Sequence, residues 1–151
     1  MNRKSINIPV ITDWASCDAD YDISGTTVTA KTGFYKFEGD TILLRYKFTI
    51  NTIDPASPNI TVGLPFGLNS DETKMVAFPG ESIVGSVQLK TSSNFYAGVV
   101  VSVNSTKFGF AGPADGYWKP TIPAIFLSGN LVSVNFSVPI NGKKANKKGF
   151  I

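Results

Sequence analysis

The sequence contains no histidine and only one cysteine, Cys17. The first absence removes the commonest general base and the commonest imidazole metal ligand, and with them serine–histidine and cysteine–histidine catalysis. The second excludes an intrachain disulfide framework, and a lone thiolate makes no zinc site. Charge is sparse as well: charged residues make up 17 % against 42 % hydrophobic, which describes a globular chain with a lightly charged surface. No stretch approaches the roughly 18 apolar residues of a membrane span. The opening MNRKSINIPV is basic at its start without an apolar run of signal-peptide length. The expectation is synthesis in the cytoplasm and no membrane insertion. Helical periodicity is missing too, and 14 glycines with 9 prolines argue for strands and turns. At 151 residues one domain is expected, burying about two-thirds of its unfolded surface without a staple.

Strands are what the chain does contain. From Thr41, the residues Ile42, Leu44, Tyr46, Phe48 and Ile50 alternate with Leu43, Arg45, Lys47 and Thr49, the period of a half-buried strand. Glu38-Gly39-Asp40 before it reads as a tight turn after a shorter aromatic strand, Phe34 to Phe37, so the pair is a predicted hairpin. Val132, Val134, Phe136, Val138 and Ile140 repeat the alternation near the end of the chain, which makes the two strands partners or opposing faces of one core. Between them, Ile60 to Leu64 and Ile83 to Lys90 read as strands, and Gly85 stands on the apolar side where another backbone approaches. FYAGVVVSV and TKFGF form a predicted hairpin around Asn104-Ser105, with Phe95, Val99, Val101 and Val103 on one face of the first arm and Val100 on the other, a pattern open to burial on both sides. Upstream, Ile23 to Thr32 is a further strand bent at Ser24-Gly25.

Eight to ten such strands, about ten residues apart and without a helix, predict an all-β fold: a two-sheet antiparallel β-sandwich, jelly-roll-like, with an immunoglobulin-like Greek key as the alternative. Residues 1–12, with Pro9 inside an apolar run, form an N-terminal arm or edge strand. Residues 13–142 form the sandwich, and residues 143–151 a basic tail.

Candidate binding residues are few. Tyr117 and Trp118 sit at the centre of a long loop without periodicity, where an aromatic stacks on a sugar or anchors an interface. The other reading of Trp118 is a plug at one end of the sandwich. Lys143, Lys144, Lys147 and Lys148, closed by Phe150, make the tail a docking segment for an acidic partner or a solvated terminus. Those four lysines exceed the whole net charge of +3. Basic residues gathered on a short end do not describe a nucleic-acid groove, so no nucleic-acid partner is expected. Asp13, Glu38, Asp40, Glu72 and Glu81 stand near predicted turns, where carboxylates cap and solvate, and no catalytic residue is assigned. Asp18, Asp20 and Asp22 alternate as oxygen ligands do, but an EF-hand loop starting at Asp18 needs glycine at Ile23 and glutamate at Thr29. Neither a metal nor another cofactor is expected.

In order, Trp14, YKFEGD, the alternating strand, LPFGL, a polar loop, IVGSV and a last strand running into VPING resemble a β-sandwich module common in tailed-bacteriophage virion proteins. The matching positions are Tyr35, Lys36, Gly39, Asp40, Leu64, Pro65, Gly67, Leu68, Val84, Gly85, Pro139, Ile140 and Gly142, over about residues 14 to 142. Lys143 stands where the family closes with tryptophan. The resemblance implies a non-enzymatic part of the virion exterior, typically a homotrimer, whose partners are other virion proteins of capsid or fibre. A capsid-decorating or head-attached protein is the first expectation, since no shaft sequence accompanies the module. A fibre tip that binds a host cell-surface glycan is the second, and a polysaccharide-degrading enzyme the third.

Overall fold

A computed structural model describes residues 13–53, 59–75, 82–112, 116–119 and 126–141. The arm (residues 1–12), the tail beyond Asn141 and Glu81 lie outside the described residues. The fold is antiparallel β throughout. In chain order its strands are β1 (Ala15–Ser16), β2 (Ile23–Ser24), β3 (Thr26–Glu38), β4 (Thr41–Ile53), β5 (Thr61–Gly63), β6 (Ile83–Lys90), β7 (Phe95–Ser102), β8 (Lys107–Gly112), β9 (Gly116–Tyr117) and β10 (Leu131–Pro139). Two single 3-10 turns, Pro65–Gly67 and Glu72–Lys74, complete the regular structure of the described residues.

Alternation decides which side of each strand is buried. Ile42, Leu44, Tyr46, Phe48 and Ile50 of β4 are each at most 1 % exposed, while Arg45 and Lys47 between them face solvent. Burial of each large side chain in that row contributes about 1.5 to 3 kcal/mol before entropy is subtracted. Strand β10 lies directly beside β4, with Val134 opposite Tyr46 and Asn135 opposite Arg45, so the two clean alternations are sheet partners and their apolar faces form one surface.

The strands follow one hydrogen-bonded path, β1-β3-β4-β10-β6-β7-β8-β5-β2, with β9 paired to β8. Both ends of this path meet in the chain, because β2 passes into β3 through Gly25 at φ +93°, a left-handed conformation that glycine adopts without a Cβ clash. The sheet therefore curls round on itself. Its two halves enclose the core in the manner of a sandwich, without forming two separately bonded sheets. Across that core the Tyr46 hydroxyl of β4 donates to the Gly63 carbonyl of β5 at 2.8 Å, and the rings of Phe108 (β8) and Phe136 (β10) lie 5.2 Å apart. Strands β10-β6-β7-β8 stand in the spatial order of a Greek key, three consecutive strands and a fourth returning beside the first.

Two local readings change. Strand β3 is one long strand, not two, and absorbs its irregularity in register shifts at Thr27/Val28 and between Thr29 and Thr32, where Ala30 takes φ +51°. Strand β7 buries Val100 and turns Phe95, Ala97 and Val99 outward, with Phe95 71 % exposed. The predicted row is thus split, with Phe95 and Val103 exposed, Val99 half-buried and Val101 buried, because pairing with β6 sets Val99 opposite the exposed Ser86.

The turn before β2 is locked into the core by Cys17 and Tyr21. The Tyr21 ring stacks on Tyr46 with centroids 3.6 Å apart, and its hydroxyl donates to the Thr32 carbonyl at 2.7 Å. Burial pushes the Cys17 thiol up from 9.0 to about 11, helped by Asp18 and Asp20 and opposed by Lys31. The hydroxyls of Tyr21 and Tyr46 are raised in the same way, first by burial and then by Cys17. Each of these groups keeps its proton longer folded than unfolded. The stability this gives is fully present below pH about 9 and is lost as pH rises through about 11. The melting temperature is expected to be level up to about pH 8.5 and to fall steadily above it. A scan that stayed level to pH about 11 would contradict the burial of these groups.

Candidate functional site

Two surface regions stand out, and the strand register defines both. The first is the pole of the fold at the Gly39-Asp40 turn. Strand β1 runs antiparallel to β3 with Ala15 opposite Tyr35 and Ser16 opposite Phe34, so residues preceding Ala15 head toward Glu38 and the turn. Strand β10 ends with Pro139 opposite Thr41, and the Ile140 amide then donates to the Asp40 carbonyl at 2.7 Å. The Asn141 amide donates to the Asn69 carbonyl at 2.8 Å. The chain therefore enters and leaves the described fold at the same pole. At this pole Lys74 bridges two aspartates, 2.7 Å from Asp40 and 3.9 Å from Asp71, and the hydrogen bond to Asp40 raises the lysine's pKa.

The second region is the outer face of β3, β4, β10, β6 and β7. Cross-strand pairs place Phe34 opposite Arg45, Arg45 opposite Asn135 and Asn135 opposite Ser86. One row along, Lys47 stands opposite Ser133 and Ser133 opposite Gln88, and at the far corner Leu131 faces Lys90 and Lys90 faces Phe95. Trp14 lies over this surface with the Arg45 guanidinium 4.2 Å and the Lys36 ammonium 5.4 Å from its ring. Such exposed cation–π contacts contribute about 0.5 to 1 kcal/mol each. A hollow of about 320 Å³ opens beside Trp14, Arg45, Asn135 and Ser137, and a smaller one of about 140 Å³ beside Lys47, Lys90, Phe95 and Leu131. In these five strands Glu38 is the one carboxylate, and Lys36 pairs with it at 3.4 Å. The face is cationic with aromatics at its two sides.

Of the residues singled out in the sequence, Trp118 is placed most clearly, and against its reading as a binding platform. It is 1 % exposed and packs edge-on against Phe110 and Phe126, with centroids 5.9 and 6.3 Å away. Its ring is a plug in the core, because its backbone pairs inward: the amide donates to the Phe110 carbonyl at 2.7 Å and the carbonyl accepts from the Ile60 amide at 3.3 Å. Tyr117 is half-buried on β9, opposite Ala111. Lys143, Lys144, Lys147, Lys148 and Phe150 lie outside the described residues. Asp18, Asp20 and Asp22 sit in and after a turn, not on an extended strand. Asp18 accepts from the Gly33 amide at 2.8 Å, and Asp20 and Asp22 border a hollow of about 240 Å³ with Thr106 and Lys107. Among the described residues no group of three or more His, Cys, Asp or Glu side chains could hold a metal ion, and no helix is long and apolar enough to cross a membrane.

The cationic face is what reading the sequence missed. Lys36, Arg45, Lys47 and Lys90 all occupy outward positions of predicted strands, which is the signal that was present. Nothing in the sequence says that β10 stands between β4 and β6, and without that order the four cations belong to unrelated places. The chain matches no known family model, no curated protein and no solved structure.

Proposed function

We propose that this chain is a non-enzymatic structural protein of a tailed-bacteriophage virion exterior, most simply a capsid-decorating protein that attaches to the shell by one pole. The observation that carries the reading is the shared pole at Gly39-Asp40, where the chain enters at Asp13 and leaves at Asn141. Residues 1–12, a basic start followed by Ile6, Ile8, Val10 and Ile11, and the lysine-rich residues 143–151 join the described fold toward that pole. Lysines 143, 144, 147 and 148 supply attraction to an acidic shell surface, and Ile6, Ile8, Val10, Ile11, Phe150 and Ile151 supply apolar contact. A homotrimer on a local three-fold of the shell fits the resemblance to exterior virion modules. Copies joined through two different surface patches close into a ring when the rotation between them allows it.

The test uses the full-length chain and purified empty capsids. Changing the four tail lysines to glutamate reverses the charge of the segment without touching the described fold. Capsid occupancy at low salt is expected to fall by about tenfold or more, with the melting temperature unchanged, and the wild-type interaction is expected to weaken as salt rises. Equal occupancy by the charge-reversed protein would remove the attachment role of the tail. Host adhesion is the second reading, and the observation that favours it is the cationic, aromatic-flanked sheet face, which runs from the strands beside the pole across to Lys90 and Phe95.

A further inference from the structure

We infer that the outer face of β3, β4, β10, β6 and β7 is a binding site for a linear anionic polysaccharide, one that carries carboxylate or sulfate groups along its length. The inference rests on the adhesion reading for its biological setting, but its chemistry comes from the face alone. Four cations, Lys36, Arg45, Lys47 and Lys90, share a surface whose strands hold one carboxylate, Glu38, which pairs with Lys36 and leaves an excess of three positive charges. Arg45 and Lys47 are two residues apart on one strand, about 7 Å at strand rise. Lys90 lies two strands over and one row, two residues, along from Lys47, about 12 Å by strand spacing and rise. Charges spread in this way meet a polymer with repeated anionic groups at several points. A single anion meets only one of them, and linked contacts multiply.

The uncharged residues select the class of polyanion. Between the cations runs a band of short hydroxyl and amide side chains: Ser133, Asn135 and Ser137 on β10, with Ser86 and Gln88 on β6. These donate to and accept from ring hydroxyls and carboxylates at once. Single-stranded nucleic acid requires aromatics in succession along the backbone path, so that neighbouring bases stack. Here the aromatics stand at the two sides of the face, Trp14 and Phe34 by β3 and β4 and Phe95 on β7, and one side of Trp14 is already covered by Arg45. Flanking rings with a polar centre suit a sugar chain held across β10, with a ring packed against Phe95 beside Lys90 at one end and Arg45 over Trp14 at the other.

The experiment is calorimetric titration of the full-length chain with polygalacturonate and heparin oligosaccharides, with dextran and oligo-dT as comparators. At least one of the two anionic polysaccharides is expected to bind and dextran is not, and affinity is expected to fall about tenfold as salt rises from about 0.05 to about 0.5 M. R45Q/K47Q is expected to weaken binding about tenfold with its melting temperature retained, since both side chains are solvated. F95A is expected to weaken binding at constant salt dependence, because it removes packing and no charge. Binding of oligo-dT as tight as the better polysaccharide overturns the choice of class. Loss of binding on changing the four tail lysines to glutamate, with R45Q/K47Q unaffected, overturns the site. If neither polysaccharide binds, the inference falls, and capsid occupancy then reports separately on the attachment pole.

Discussion

Replacing Gly85 with alanine is expected to abolish most of the folded protein at physiological temperature, or to lower its stability by at least about 3 kcal/mol. A Cβ at this position would lie 2.1 Å from the Asn135 carbonyl oxygen, 2.5 Å from the Phe136 Cβ and 2.6 Å from the Phe136 Cα. All three atoms belong to β10 or sit directly on its backbone, so no side-chain rotation relieves the contact. Either β6 moves off β10 or β10 moves off β4. Both movements damage the centre of the sheet path, where β10 joins the hairpin β3-β4 to the strands β6, β7 and β8. The β6–β10 ladder runs without a register shift up to the Phe136–Gly85 pair, so the close approach lies at the end of a regular pairing. For a domain of this length, 3 kcal/mol corresponds to a fall of about 6 to 12 °C in melting temperature. Ser86→Ala, one residue on and solvent-facing, is the control and is expected to change stability by no more than about 0.5 kcal/mol. A Gly85→Ala protein melting within two or so degrees of wild type would show that β6 and β10 are not held at this distance.

Gly85 is also a measure of how far the sequence speaks. Its place on the apolar side of an alternating strand was enough to expect a close backbone, yet which backbone approaches depends on the strand order. The same division runs through the fold. The rows of β4 and β10 declare themselves because period two is a local property, and a one-residue slip would expose every large side chain in them. Strand β7 does not declare its inner face, because its valines at 99, 100 and 101 leave both faces apolar and local pattern cannot choose between them. Pairing chose, by matching β7 to the polar outer row of β6. Ala30 at φ +51° was not legible at all, since alanine carries no turn signal. The cationic face is legible as separate outward charges and illegible as a site, because a surface assembled from five strands exists only once their order is known. The terminal segments are the reverse case: their composition is plain in the sequence, and the structure adds that the described residues next to them, before Ala15 and after Pro139, lie toward one pole.

Trp118→Ala is expected to be the second large loss, about 3 to 5 kcal/mol, and the loss is in stability, not in binding. The indole is among the largest fully buried side chains of the protein and fills the space between Phe110 on β8 and Phe126. Truncation to a methyl group leaves a cavity that two rings, each held by its own packing, cannot collapse to fill. The indole Nε1 is buried without a hydrogen-bond partner among the described residues, and an unpaired buried donor costs about 1 to 3 kcal/mol on its own. Trp118→Phe removes that donor while keeping an aromatic edge against its neighbours. Its cost is therefore expected to stay near or below about 1.5 kcal/mol, well under that of alanine. Urea denaturation of the two variants separates these terms. Titration with the anionic oligosaccharides and with capsids, at a temperature where Trp118→Ala is still folded, should then return wild-type affinities. A Trp118→Ala protein that kept its stability and lost affinity would reverse the assignment and return the ring to the surface as a contact residue.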